Sequence, residues 1–411
     1  MTLMSPDPVA RLSAAEAVYK SRDVTALPAL EKALASEADP RIKSAFTLAR
    51  AAILLTSATA ADADRLAAVD VIVAKGDQDA LGLLQSLPAD AAAPLRDAAA
   101  AGISKINDSL RLWNVVQNLW FGLSLASVLL LAAIGLAVTF GVMGVINMAH
   151  GEMVMLGAYT TFMVQQMLRS YFPGLFDYSL ALALPLAFLV SGLVGMLIER
   201  VVIRPLYGRP LETLLATWGI SLILIQTVRT LFGAQNVQVE NPAFMSGGME
   251  ILSGVVLPWS RIVIIGFALF VLFGIWVLLN KTRLGLFVRG VTQNRQMAAC
   301  VGVSTARVDT WAFGLGSGIA GLAGCALSQI GNVGPDLGQA YIVDSFMVVV
   351  LGGVGQLAGT VYAALGLGFA NKLLEAWQGA VLAKIAVLVF IIVFIQKRPQ
   401  GMFALKGRAV E

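Results

Sequence analysis

From about position 112 onward the chain is built from apolar runs too long and too many for a soluble core. Leu112 to Gly151 contains no Asp, Glu, Lys or Arg. A helix crossing a bilayer needs about 20 apolar residues, so this stretch exceeds one span and has to bend or break. Further runs free of these charges cover 153–168, 178–198, 213–228, 262–280, 310–335 and 345–371. A last run, 379–396, holds only Lys384, near one end, where a lysine can snorkel. Buried soluble helices imitate one such run, not this many. The pattern predicts an all-α, polytopic membrane helix bundle of about eight helices over 111–411, with the lipid bilayer as its solvent.

Residues 1–110 follow another rule. Ala and Leu recur at helical spacing in Leu27, Leu30, Ala33 and Leu34, and again in Ala45, Leu48, Ala49 and Ala52. Breaks fall at Asp39-Pro40 and Leu87-Pro88. Asp23, Ala26, Leu27 and Leu30 return as Asp77, Ala80, Leu81 and Leu84, an offset of 54 residues. The echo predicts an extramembrane head of stacked helical hairpins of the HEAT-like kind.

Charge sharpens the division. Residues 1–110 carry 11 Lys and Arg against 14 Asp and Glu, whereas 111–411 carry 18 against 11. In the second part the cations sit in short loops between apolar runs. That is the positive-inside distribution rather than a nucleic-acid surface. The loops 199–212 and 281–309 and the tail from Lys397 should therefore be cytoplasmic, and 233–260, with Glu240 and Glu250 but no Lys or Arg, should face outward. Counting spans then exposes a conflict. A single span at 345–371 would send the basic tail outside. The conflict disappears if that run is a broken or re-entrant pair split at Gly352, Gly353 and Gly355. Irregular backbone at membrane depth survives only inside protein or beside a cavity, which puts the break near a transport path. The same counting puts residues 1–110 outside, although Met1-Thr2-Leu3-Met4-Ser5-Pro6 is not an apolar signal segment.

Three motifs carry candidate chemistry. Gly144-Val145-Ile146-Asn147-Met148-Ala149-His150-Gly151-Glu152 joins the single histidine of the chain to a carboxylate and an amide in an apolar run. Such groups face the bundle interior. They serve either as braces for a helix break or as solute contacts. With Thr139, Gln165 and Thr217, the residues Asn147, His150 and Glu152 form the candidate substrate path. In the 281–309 loop, residues 289–303 read as one short amphipathic helix with Met297, Ala298 and Val301 as its apolar stripe, suited to a groove on a partner. Gly316-Ser317-Gly318-Ile319-Ala320-Gly321 matches a dinucleotide fingerprint, but no strand precedes it. Small residues here predict close helix packing instead. There is no phosphate-binding P-loop, no nucleophile elbow and no metal-ligand spacing, and Cys300 and Cys325 make no framework. No cofactor, metal or enzymatic activity is expected.

Taken in order, the 147–152 motif, the 283–303 loop, the 352–355 glycines and the ending Lys397-Arg398-Pro399-Gln400-Gly401-Met402-Phe403 resemble the permeases of bacterial branched-chain amino acid ABC importers. The likeness covers roughly 115–405. The added head and the phrases Thr292-Gln293-Asn294-Arg295 and 401–408 are similar to the urea-transporting branch of that family. The resemblance implies an inner-membrane permease working by alternating access with a second permease, two cytoplasmic ATP-binding subunits and a periplasmic substrate-binding protein. It also implies that Arg289, Thr292, Gln293, Asn294, Arg295, Met297, Ala298 and Gly302 belong to an ATPase-coupling helix. Urea is the solute this implies first, and a branched-chain amino acid is the alternative. A passive urea or water channel would not need the docking helix. A membrane enzyme would need paired carboxylates, which are absent.

Overall fold

The computed structural model describes residues 2–57, 60–88, 91–252 and 255–403. It divides into two compact units, Met1–Gln117 with Glu250–Val256, and Asn118–Met249 with Leu257–Glu411.

The first unit is helical: α1 (Pro8–Ser21), α2 (Leu27–Ser36), α3 (Pro40–Thr56), α4 (Asp62–Lys75), α5 (Gln78–Gln85) and the start of α6 (Ala93–Met143). Aspartates start four of these segments. Asp7, Asp39 and Asp77 accept backbone N–H groups at the first turns of α1, α3 and α5, and Asp23 caps the short turn leading into α2. Pro8 and Pro40 follow their caps at the first helical position, where the missing N–H is harmless. The 54-residue offset is an element-for-element repeat. α1 and α4 correspond end to end, and each stops at a left-handed residue, Arg22 and Gly76. The repeating unit has three helices rather than the two of a hairpin. Its third helix keeps the same buried pattern one residue out of step: Ile42, Phe46 and Ile53 match Leu95, Ala99 and Ile106. Two apolar clusters result, one around Leu30, Phe46 and Ile53 and the other around Ile72, Leu84 and Leu95, with Leu55 of α3 reaching into the second.

The second unit holds the rest of α6 with α7 (His150–Tyr171), α8 (Ser179–Ile198), α9 (Pro210–Phe232), α10 (Trp259–Lys281), α11 (Arg283–Gln293), α12 (Arg295–Cys300), α13 (Thr305–Ser328), α14 (Leu337–Gly352) and α15 (Leu357–Lys397). Two short strands, Gly248–Leu252 and Val255–Pro258, pair in the 233–258 segment that the composition leaves unassigned. Among the described residues, six helices are long and apolar enough to cross a membrane, and α14 is a shorter apolar one.

Burial sorts these helices. The apolar windows of α6 and α13 are 89% and 83% buried, against 17% for α10 and α15. α13 is therefore central, and large side chains such as Phe270 and Phe273 of α10 and Leu193 of α8 face outward, as lipid-exposed helices require. Small residues make the centre possible. A Cβ on Gly157 or Gly324 would collide with the Gly321 or Val154 carbonyl, so α7 and α13 touch backbone to backbone.

α14 stops at Gly352, the chain is non-helical to Gln356, and α15 begins at Leu357. α15 is itself two helices joined at Gly379, whose φ is 81°. The joint is a reversal. Gly379 lies roughly 30 Å along the helix from Leu357, yet Phe403 stacks on Tyr362 with centroids 5.7 Å apart. The two halves must run antiparallel. The run 345–371 is thus divided, and the basic tail returns to the end of the bundle that holds the other basic loops.

Candidate functional site

Two clusters in the second unit carry the polar chemistry. The first surrounds the break between α6 and α7. Gly144, at φ 67°, ends α6, and residues 144–149 are not helical. Side chains satisfy the freed backbone. Asn147 Oδ1 accepts the Ala149 N–H at 3.0 Å, and the Met148 N–H donates to Thr217 Oγ1 at 3.2 Å. His150 Nε2–H donates to the Ala132 carbonyl at 3.0 Å, and Ser221 Oγ donates to Glu152 Oε1 at 2.9 Å. Asn147, His150 and Glu152 are each 1% exposed. Yet Asn147 Nδ2, His150 Nδ1 and Glu152 Oε2 have no hydrogen-bond partner among the described residues. Leaving a buried polar atom unpaired costs about 1–3 kcal/mol, so three around one break mark a place for water or a polar solute.

The six residues expected along a substrate path do not form one group. Asn147, His150, Glu152 and Thr217 surround the break. Thr139 is buried, but its hydroxyl bonds back to the Gly135 and Leu136 carbonyls of its own helix. Gln165 pins the opposite end of α7: its Nε2 donates to the Glu240 carbonyl and its Oε1 accepts the Glu240 N–H. Each group of its amide makes one hydrogen bond to Glu240, so Gln165 ties α7 to the 233–258 segment. Ser221 was not anticipated. Thr213, Thr217 and Ser221, all buried, make a hydroxyl stripe at a spacing of four on α9, and that spacing is the signal that marks it.

The second cluster lies at the basic end. Residues 289–303 are not one helix. Thr282 caps α11, and Asn294 breaks the chain and caps α12 by accepting the Met297 N–H at 2.8 Å. Gly302, at φ 89°, lets the Val303 N–H turn back to the Ala298 carbonyl. Met297 and Val301 are 62% and 73% exposed, but Ala298 is buried and faces inward, so it drops out of the outward stripe. Arg295 clamps α12 to α13 through a two-pronged ion pair with Asp309, and its guanidinium lies 4.2 Å from the Tyr207 ring centroid. Burial works against the Arg295 charge, but the Asp309 carboxylate outweighs it and raises the Arg295 pKa. Beside this clamp a π-helical turn, Glu199–Ile203, buries Glu199, which accepts from both Arg204 and Thr310. Such turns recur at functional sites.

Arg289, Thr292 and Gln293 line a cavity of about 470 Å³ together with Asn280, Gly355 and Gln356. The glycine break therefore sits at the basic end beside α11, not in mid-span. It is a turn closed by the Gln356 N–H bonding the Gly353 carbonyl. Gly353 and Gly355 have φ of 100° and 79°, whereas Gly352 is helical and lies against Gly359. The tail seals it: the Met402 and Phe403 N–H groups donate to the Leu351 and Gly352 carbonyls at 2.8 and 3.2 Å. Residues 404–408 of the tail phrase lie outside the described residues. Among the described residues no group of three or more His, Cys, Asp or Glu is placed to hold a metal.

The family described as branched-chain amino acid transport system / permease component matches residues 118–396. Among curated relatives, the high-affinity branched-chain amino acid transport system permease protein BraD of Pseudomonas aeruginosa is 27% identical over 297 residues, covering 71% of this chain and 96% of its own. The corresponding permease LivH of Escherichia coli is 28% identical over 292 residues, covering 70% and 94%. A probable LivH of Methanocaldococcus jannaschii is 24% identical over 293 residues, covering 67% and 89%. No solved structure matches the chain. These relatives are transport permeases rather than enzymes, and the matched region is the multi-pass helical unit. The chain belongs to the branched-chain amino acid transport system permease family.

Proposed function

We propose that this chain is the membrane permease subunit of an ATP-driven importer in a bacterial inner membrane, with a branched-chain amino acid as its solute. The observation that carries the mechanism is the build of α12. Its tip presents Met297 and Val301 at the basic end, while Arg295 and Asp309 fasten its base to the central helix α13. A push on the tip by a cytoplasmic ATP-binding subunit reaches α13, which packs against α7 and α8. There the break at 144–149 and its unpaired polar atoms line the path. Alternating access then follows from rigid helices moving about that break. A second permease subunit completes the bundle against the outward apolar faces of α8, α9, α10 or α15, and a periplasmic substrate-binding protein delivers the solute. The names of the relatives support the amino-acid solute.

Urea is the second reading. It is favoured by the head and the 292–295 and 401–408 phrases, and by the Asn147 amide and the Thr217 hydroxyl at the break, which suit a neutral solute. Counting the basic loops puts the head on the outer side in either reading. The C-terminal end of α6, Met143, accepts a bond from Tyr207 at the basic end, so its span starts at the opposite face. Uptake of radiolabelled leucine and urea by proteoliposomes of the complete transporter decides the solute. Accumulation of leucine, uncompeted by urea, is expected; accumulation of urea alone would replace the first reading by the second.

A further inference from the structure

At the end of the bundle away from the basic loops, a cavity of about 310 Å³ opens between the start of α10 and the end of α13. Its polar lining includes Asn241, Ser260, Arg261, Ser328, Gln329 and Asn332. Arg261 is the one charged residue among those that line it. One of its N–H groups donates to Ser124 Oγ at 3.2 Å, and the guanidinium lies 4.6 Å from the Phe121 ring centroid. Those contacts orient the fork. A guanidinium has five N–H donors, and Ser124 is its one hydrogen-bond partner among the described residues, so the remaining donors are free for an acceptor in the cavity.

Another part of the lining has the opposite character. Gln329 is 4% exposed, and its Nε2 donates to Ser328 Oγ at 3.2 Å. Its Oε1 is buried with no partner among the described residues. Ser328 and Gln329 also end α13, where the Cys325, Ala326 and Leu327 carbonyls already accept from Ser328 Oγ and from the Gln329 and Ile330 N–H groups, so Gln329 Oε1 is the acceptor this part of the lining offers. Donors in one part and an acceptor in another suit a small solute that carries a carbonyl or carboxylate oxygen next to N–H groups. An α-amino acid and urea share that chemistry. An anion alone would use only Arg261, and a bare cation only Gln329 Oε1.

We propose that this cavity is a solute site at the outer mouth of the transport path. Arg261 donates to the carbonyl or carboxylate oxygen of the solute, while Gln329 Oε1 accepts one of its N–H groups. The site rests on the permease reading and adds the recognition chemistry to it. In proteoliposomes of the complete transporter, Arg261→Ala and Gln329→Leu should each lower uptake at sub-saturating solute at least tenfold, with ATP hydrolysis stimulated by the binding protein unchanged. Arg261→Lys should retain part of the uptake, because a single ammonium replaces only part of the fork. Ser124→Ala removes the tether but not the donors, and should stay within threefold of wild type.

Saturation-transfer NMR on the purified complex separates the two solutes. If the oxygen is a carboxylate, leucine contacts the complex more than leucinamide does, and Arg261→Ala abolishes the difference. If it belongs to urea, the urea signal falls in Arg261→Ala and leucine gives none in any variant. Wild-type uptake in both Arg261→Ala and Gln329→Leu would overturn the site. So would a loss in Ser124→Ala equal to that in Arg261→Ala, which would make Arg261 a brace between α6 and α10. A wild-type complex that accumulates neither solute would instead overturn the permease reading, and the site with it.

Discussion

Alanine substitutions in the 352–355 break should fail for three different reasons. At Gly352 the backbone is helical, so φ is not at issue, but a Cβ would lie 2.5 Å from the Gly359 carbonyl carbon. Ala and Asn should be equally damaging there, because only the first side-chain atom matters. At Gly353, φ is 100° and a Cβ would collide with the Phe403 carbonyl oxygen. The substitution must therefore strain the backbone and displace the tail, together with the Met402–Leu351 and Phe403–Gly352 hydrogen bonds. Two such bonds at about 0.5–1.5 kcal/mol each, added to about 1–2 kcal/mol for a left-handed backbone, total about 2–5 kcal/mol. Gly355 is the third residue of a turn closed from Gln356 to Gly353, and its φ of 79° is that of a type II turn. There Ala should cost about 1–2 kcal/mol, and Asn, which tolerates positive φ, should recover most of the loss. The assay is thermal unfolding of the detergent-solubilised complex alongside ATP-driven uptake. The expected order of damage is Gly353→Ala above Gly355→Ala, with Asn rescue at 355 and none at 352 or 353. Equal losses at all three positions, or Asn rescue at 353, would refute the assignment of the tail as the seal of this turn.

Other outcomes follow from single contacts. Ser221→Ala strips Glu152 of its hydrogen bond inside the bundle and should destabilise the complex by about 1–3 kcal/mol, measured by thermal unfolding, while Ser221→Thr should be milder; no shift in Ser221→Ala would count against the Glu152 contact. Met297→Asp with Val301→Asp changes only exposed positions and should abolish uptake and ATPase co-purification while the subunit still inserts and unfolds at the wild-type temperature. Ala298→Asp buries a charge and should lower that temperature as well. For the head, Ser57 is buried at 6% exposure and unsuited to labelling. A cysteine at exposed Ser36 in a Cys300→Ser background should react with an impermeant thiol reagent in intact spheroplasts; labelling only after lysis would place the head in the cytoplasm.

Much of the bundle was legible in the sequence because hydropathy and charge act over whole helices. The uncharged 112–151 stretch had to break, and it does so at Gly144. Counting basic loops required the 345–371 run to be divided, and Gly353 to Gln356 divides it. The glycines of 314–324 read as packing surface, and the carbonyls opposite Gly316 and Gly324 leave no room for a Cβ. Side-chain direction was harder to read. Residues 289–303 look like one amphipathic helix until Asn294 is recognised as a cap, and the restart of the helix there turns Ala298 inward. Gln165 looks like a polar lining residue, because nothing local reveals that Glu240, 75 positions away, bonds to both groups of its amide. In the head the 54-residue offset was visible, but the third helix was masked because its buried positions slip by one residue.

The central claim is that this chain supplies a path but not the energy. It is tested most directly by reconstituting it alone, and then with its second permease, ATP-binding subunits and binding protein, and following labelled solute with and without ATP. The account predicts accumulation above the external concentration only in the full complex with hydrolysable ATP, and no flux through the chain alone. Rapid equilibration of solute through the isolated chain, without ATP, would contradict it and identify a channel.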